Sequence, residues 1–273
     1  MMRSLWTGAS GMSAMMTKID TVANNISNVN TTGFKRERVD FNSLIYETLR
    51  PTNLDPVNMT GRPVNLQVGH GVRAAATTRM FTQGALQRTD RPMDFSIEGN
   101  GFFQVRRDED TYFFTRDGSF HLMPLADGTL VLTMASGYPV ISVDGDVIIF
   151  DEGTIDRDIV VSPEGNIFVL GEEGLLEDMD MQIQLVQFSN PNGLEAIGGN
   201  LFRETTASGE PVQEIDDVVM RPSRLVQGYL ELSNVQIAEE MIGLITAQRA
   251  FDTNSRAIST SDEMLQTAVN LRR

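Results

Sequence analysis

Two apolar seven-residue repeats stand at opposite ends of this 273-residue chain, and they constrain it more than any other feature. Leu230, Ile237, Leu244, Phe251, Ile258 and Leu265 recur every seventh residue near the C-terminus, and Leu5, Met12, Ile19 and Ile26 do so near the N-terminus. A repeat of that period lays one apolar seam along a helix, which another helix must cover. The two ends are therefore expected to meet. The other C-terminal seam positions, Ala247, Asn254, Ser261 and Ala268, are small or polar where a plain two-stranded coiled coil prefers branched aliphatics. Small residues suit close approach by several helices, which favours a multi-chain assembly over a private dimer.

The N-terminal repeat predicts a helix from Ser4 to Val29, closed by Asn30-Thr31-Thr32-Gly33, where low-propensity residues lead to a glycine suited to a left-handed cap. Asn24, Asn25 and Asn28 are unusual in such a helix. They read either as a solvated, fraying face or as amides that hydrogen-bond to neighbouring chains at an interface. From Gly228 the pattern returns to helix, and Leu232 to Asn270 holds no proline and one glycine, Gly243.

Between the ends, apolar runs such as Phe102-Phe103, Tyr112-Phe113-Phe114, Leu130-Val131-Leu132 and Ile167-Phe168-Val169-Leu170 are separated by Asp117-Gly118, Asp127-Gly128, Asp144-Gly145 and Glu164-Gly165. Such turn pairs between apolar runs signal hairpins, so the middle reads as antiparallel β-structure. Residues 35–85 open with a basic patch, Lys35-Arg36-Glu37-Arg38, and continue through Pro51, Pro56, Gly61, Pro63, Gly69 and Gly71. That spacing forbids a long helix and predicts an extended connector with short strands such as Gly71 to Thr78. A connector this long is expected to touch something outside its own core. The expected fold class is α+β: long N- and C-terminal helices as a coiled-coil-like inner layer, an antiparallel β-rich middle and an extended connector. The expected domains are 1–34 with 228–273 as the helical core, 35–85 with 206–227 as connector, and 86–205 as the β-rich outer domain.

The net charge of −15 is uneven: residues 1–40 carry +2 and residues 228–273 carry −2, leaving −15 for the middle. An acidic middle repels phosphates and argues against nucleic acid as a partner. No apolar run approaches the ~18 residues of a membrane helix, so no membrane insertion is expected. The first residues hold one positive charge and an apolar stretch broken by Ser, Thr and Gly, which is not a secretory signal.

Catalytic chemistry finds little footing. The absence of cysteine removes disulfides, thiolate metal sites and thiol nucleophiles together. Gly99-Asn100-Gly101 precedes strand residues where a phosphate loop needs a helix N-terminus, so it reads as a turn. His70 and His121 sit in no metal-ligand spacing. The acidic runs, among them Asp108-Glu109-Asp110 and Glu177-Asp178, complete no calcium loop. No catalytic, cofactor or metal residue is expected. A glycoside hydrolase with two acids distant in the chain is the rival from another class.

Three ordered blocks resemble the bacterial flagellar rod and hook family. Ala23-Asn24-Asn25-Ile26-Ser27-Asn28-Val29-Asn30-Thr31-Thr32-Gly33-Phe34-Lys35 is similar to its N-terminal signature. Ser233-Asn234-Val235, Gln248-Arg249-Ala250-Phe251 and Asn254-Ser255-Arg256 are similar to its C-terminal one. Ile97-Glu98-Gly99-Asn100-Gly101-Phe102-Phe103, Phe114 to Phe120 and Asn190 to Leu194 resemble its middle. Met2 to Met12 and Gln67 to Val72 look most like the rod branch, with a hook or other rod subunit as the nearest rival within the family. The resemblance implies a structural subunit exported without a cleaved signal, stacking as a homo-oligomeric helical polymer into a hollow shaft across the periplasm. It also implies proximal rod proteins, the hook protein and a surrounding ring bushing as partners. The implied assembly interface comprises Leu5, Met12, Ile19, Asn24, Asn25, Ile26, Asn28, Leu230, Ile237, Leu244, Gln248, Arg249, Phe251, Asn254, Ile258 and Leu265. Phe251 and Arg256 stand where the family commonly has Tyr and Lys.

Overall fold

The computed structural model describes residues 2–54, 61–62, 64–108, 111–125, 127–151, 153–171, 176–214 and 221–271. Pro56, Pro63, Glu109 and Asp110, which the sequence reading used, lie outside them. The chain divides into two compact units: residues 1–27, 37–78 and 236–273 form one, and residues 28–36 and 79–235 the other.

In the first unit the N-terminal repeat forms helix α1, Met2–Ser27, and the C-terminal repeat forms helix α2, Ile237–Asn270. They pack antiparallel. Ser4 meets Ser261, Gly8 lies under Ile258, Gly11 under Asn254, Val22 beside Gly243, and Asn25 meets Glu240. Strands Glu37–Ser43 and Val72–Arg79 pair with each other, close to the Gly71 to Thr78 strand expected from sequence. Tyr46–Arg50 pairs antiparallel with Leu66–Gly69, and Asn53–Leu54 with Gly61–Arg62.

Helix α2 begins later than the repeat suggested. Leu230 lies in strand Tyr229–Glu231, which pairs with Leu86–Arg88, so its backbone groups serve a sheet and it is no part of the helical seam. Gly228, at φ 76°, makes the turn into that strand in a region open to glycine and closed to most residues.

The second unit is antiparallel β-structure. Its six-stranded sheet has the order Glu195–Gly198, Leu201–Arg203, Thr111–Thr115, Phe102–Asp108, Leu185–Gln187 and Val212–Gln213. Two three-stranded sheets follow, Phe120–Pro124 with Leu130–Met134 and Ile149–Phe150, and Ile159–Val161 with Asn166–Leu170 and Leu176–Gln182. The segment 206–227, expected as connector, contributes Val212–Gln213 to the large sheet and Arg224–Gln227 as partner of Phe95–Glu98.

Strand alternation separates the aromatic pairs between two cores. Phe103 and Phe113 join the larger core with Phe95, Phe120, Leu132, Val140, Ile148 and Ile183, while Phe102 and Phe114 join a smaller one with Val186, Phe188 and Phe202. Edge-to-face contacts tie each together, Phe103 to Phe120 at 5.0 Å and Phe114 to Phe188 at 4.8 Å. Asp127-Gly128 and Glu164-Gly165 do join paired strands, as expected. Asp117-Gly118 does not. It carries the chain from one sheet to another, and a Cβ on Gly118 would fall 1.9 Å from the Phe95 carbonyl oxygen, so close backbone approach explains this glycine.

Candidate assembly site

The helix pair of the first unit is built around small residues. On α1, Gly8, Gly11, Ala14 and Val22 are buried, and on α2 Ala247 and Ser261. A Cβ on Gly8 would stand 2.8 Å from Ile258 Cγ1, and one on Gly11 would stand 2.8 Å from Asn254 Nδ2. The backbone of α1 thus serves as the surface on which Ile258 and Asn254 rest. Leu5, Met12, Ile19 and Ile26 flank this contact and are only half-buried, as are Leu244, Phe251, Asn254, Ile258 and Leu265 on α2.

The start of α1 is also tied to the connector. Arg3 forms an ion pair with Glu47, His70 Nε2 lies 3.6 Å from the same carboxylate, and Val72 N–H donates to Ser10 Oγ at 3.4 Å.

At the other end of α1, Asn25 is 1% exposed and is neither solvated nor fraying. Its Oδ1 accepts the Glu37 N–H at 2.9 Å while its Nδ2 donates to the Glu37 carbonyl at 2.8 Å and to Glu240 Oε2 at 3.2 Å. The side-chain amide copies a backbone pairing and seats the returning strand on the last turn of the helix. Asn24 is exposed, and Asn28 is half-buried in the second unit.

In the second unit, Lys35 of the expected basic patch does not face solvent. Lys35 is buried, and its Nζ donates to Glu231 Oε1 at 2.6 Å and to the Thr82 carbonyl at 2.9 Å. Gly84 N–H donates to the same carboxylate oxygen at 2.8 Å. Arg116, also buried, places Nη1 3.6 Å from Glu231 Oε2 and donates to the Gly99 carbonyl at 2.9 Å, its guanidinium 4.8 Å from the centre of the Phe102 ring. Burial pushes the Lys35 amine below its usual 10.5, and the Glu231 carboxylate opposes that shift. Sequence reading gave Glu231, Arg116 and Glu240 no role because each partner is remote in the chain; the available signal was that Glu231 stands alone among apolar residues in Tyr229-Leu230-Glu231-Leu232.

The helices also present apolar side chains to solvent. Trp6 is 76% and Ile242 63% exposed, and Met16, Ile237, Met241 and Ile245 are exposed as well. Gln248 and Arg249 share the exposed side of α2. Among the described residues no group of three His, Cys, Asp or Glu gathers as a metal site, and no helix is long and apolar enough to cross a membrane.

Comparison with known proteins bears on these surfaces. Residues 5–35 match the family described as flagella basal body rod protein, residues 96–169 the flagellar hook protein FlgE/F/G D1 domain, and residues 226–271 the flagellar basal body rod FlgEFG protein C-terminal. The chain is 46% identical to flagellar basal-body rod protein FlgG of Borreliella burgdorferi over 100% of both chains. It is 36% identical to the protein of that name in Bacillus subtilis, again over 100% of both. It is also 30% identical to the flagellar hook-basal body complex protein FlhP of Bacillus subtilis, over 97% of each.

Proposed function

The chain belongs to the flagellar basal-body rod protein family, as a structural subunit of the distal rod and not an enzyme, and we propose that its terminal helices polymerise it into a shaft. The hydrolase reading is set aside with that membership.

One observation carries the proposal. The α1–α2 pairing covers the face formed by Gly8, Gly11, Ala247 and Ser261 and leaves Ile237, Met241, Ile242 and Ile245 in water on α2. Clustered exposed apolar side chains on a helix mark a surface that awaits a partner. Copies of the same chain, stacked with helical symmetry, are that partner. The predicted interface residues thereby take separate parts: Leu244, Phe251, Asn254, Ile258 and Leu265 line the pair within one chain, while Ile237, Gln248 and Arg249 face neighbouring chains. Leu5, Met12, Ile19 and Ile26, half-buried beside the intrachain contact, complete their burial in the polymer. Ile45, Leu49 and Leu66 are exposed around the strand pair Tyr46–Arg50 and Leu66–Gly69, which supports contact of the connector with neighbours. In this reading the polymer is a hollow shaft in the periplasm that transmits torque, joined to proximal rod proteins and the hook protein and turning inside a ring.

Electron microscopy of concentrated protein tests the reading. Wild type is expected to form filaments, and Ile242→Glu and Met241→Glu are expected to remain monomeric with unchanged helix content by circular dichroism. Filaments of equal yield from the folded variants would overturn the assignment of this face.

A further inference from the structure

Residues 28–36 belong to no strand, yet the second unit grips them at scattered points. Gly33 N–H donates to the Glu231 carbonyl at 2.9 Å, Asn200 Nδ2 to the Thr32 carbonyl at 2.7 Å, and Arg36 N–H to Asn234 Oδ1 at 2.8 Å. Thr32 Oγ1 donates to Asp117 Oδ1 at 3.0 Å. A Cβ on Gly33 would fall 2.7 Å from the Asp117 backbone nitrogen, so the segment lies directly on the chain turn at Asp117-Gly118. The segment is a strap laid over a unit whose sheets are complete without it.

The charges around its lysine are unequal in number. Two buried cations, Lys35 and Arg116, face one buried carboxylate, Glu231. Removing Lys35 leaves Glu231 beside Arg116 and still accepting the Gly84 N–H, so no buried acid is stranded. Removing Glu231 strands Lys35 and leaves Arg116 with only the half-buried Glu214 as counter-charge. Lys35 alone gains full hydration by withdrawing, because its amine is wholly buried in the docked state.

We propose that residues 31–36 form a strap that closes last, inserting Lys35 into a preformed socket made by Glu231 and Thr82 while Asn234 takes the Arg36 N–H, and that it opens while the rest of the second unit stays folded. Opening and closing of this strap are properties of the monomer and stand apart from the polymer reading above. Local opening of one segment below the global unfolding free energy is the physical basis.

Amide hydrogen exchange on the full-length monomer tests it. In wild type, the Gly33 and Arg36 amides are expected to exchange faster, by about a hundredfold or more, than amides in Phe102–Asp108. Lys35→Ala is expected to speed exchange at Gly33 and Arg36 by a further tenfold or so while leaving Phe102–Asp108 unchanged. Glu231→Gln is expected to speed exchange in both regions. Equal protection of strap and sheet in wild type would overturn the proposal. Equal loss in strap and sheet on Lys35→Ala, including outright misfolding, would do the same, since a preformed socket does not need its plug. An unchanged strap in Lys35→Ala would show that the lysine does not hold it.

Discussion

Lys35 Nζ lies 2.6 Å from Glu231 Oε1 across 196 residues of sequence, with both side chains almost wholly buried. Burial holds the lysine below its usual 10.5 despite the carboxylate. A cation with a folded-state pKa below its unfolded value binds fewer protons folded than unfolded between the two, so the docked state gains stability as pH rises through that window. Below the folded pKa the cost of burying the charge is fully present. Protection of the Gly33 and Arg36 amides, corrected for intrinsic exchange, is therefore expected to rise as pH climbs toward the lysine's usual 10.5, with Arg116 left to neutralise Glu231. Lys35→Met should lack the rise; a flat wild-type profile would count against burial as the dominant influence on this amine.

Asn25 holds both backbone groups of Glu37 as well as the Glu240 carboxylate. Asn25→Ala leaves those groups without that amide, at about 1–3 kcal/mol for a buried unsatisfied group. Chemical denaturation should show that loss, with Asn25→Asp comparably harmful because it sets a second carboxylate against Glu240. A change within error for Asn25→Ala would mean solvent replaces the amide.

Gly8 is under the Ile258 side chain, where a Cβ would fall 2.8 Å from Ile258 Cγ1. Gly8→Val should destabilise the helix pair by about 1–3 kcal/mol, the usual effect of overpacking, despite removing a helix-breaking glycine. Ile258→Ala in the same chain should relieve part of that loss. Strict additivity of the two changes in a thermal-melt cycle would place them out of contact.

Residues 41–227 carry the whole net charge of −15. Many copies in one polymer would concentrate that charge, and repulsion acts over about a Debye length, ~8 Å at physiological salt. Polymer yield is expected to increase from low to moderate ionic strength. Yield falling steadily from low salt upward would show that attractive charge pairs between subunits dominate.

Much of the local structure was legible in the sequence. The repeats at Met12 to Ile26 and Leu244 to Leu265 announced α1 and α2, because helical periodicity follows from spacing within one segment. Asp127-Gly128 and Glu164-Gly165 announced hairpins for the same reason, since turn chemistry acts on adjacent residues. The ordered blocks around Asn24, Gly99 and Gln248 identified the family, and the matches over residues 5–35, 96–169 and 226–271 agree.

The tertiary structure alone decided what those segments meet. Leu230 fits the seventh-residue spacing, yet the strand Leu86–Arg88 claims its backbone. Lys35 sits among charged neighbours in a stretch that reads as solvated, yet Glu231 and the Thr82 carbonyl take it inside. Asn25 reads as a weak helix residue until Glu37 and Glu240 arrive beside it. A sequence encodes period and turn geometry locally, where neighbours along the chain are neighbours in space. Whether a polar or charged group is buried depends on partners brought by the fold from elsewhere, and only their arrival makes its desolvation tolerable.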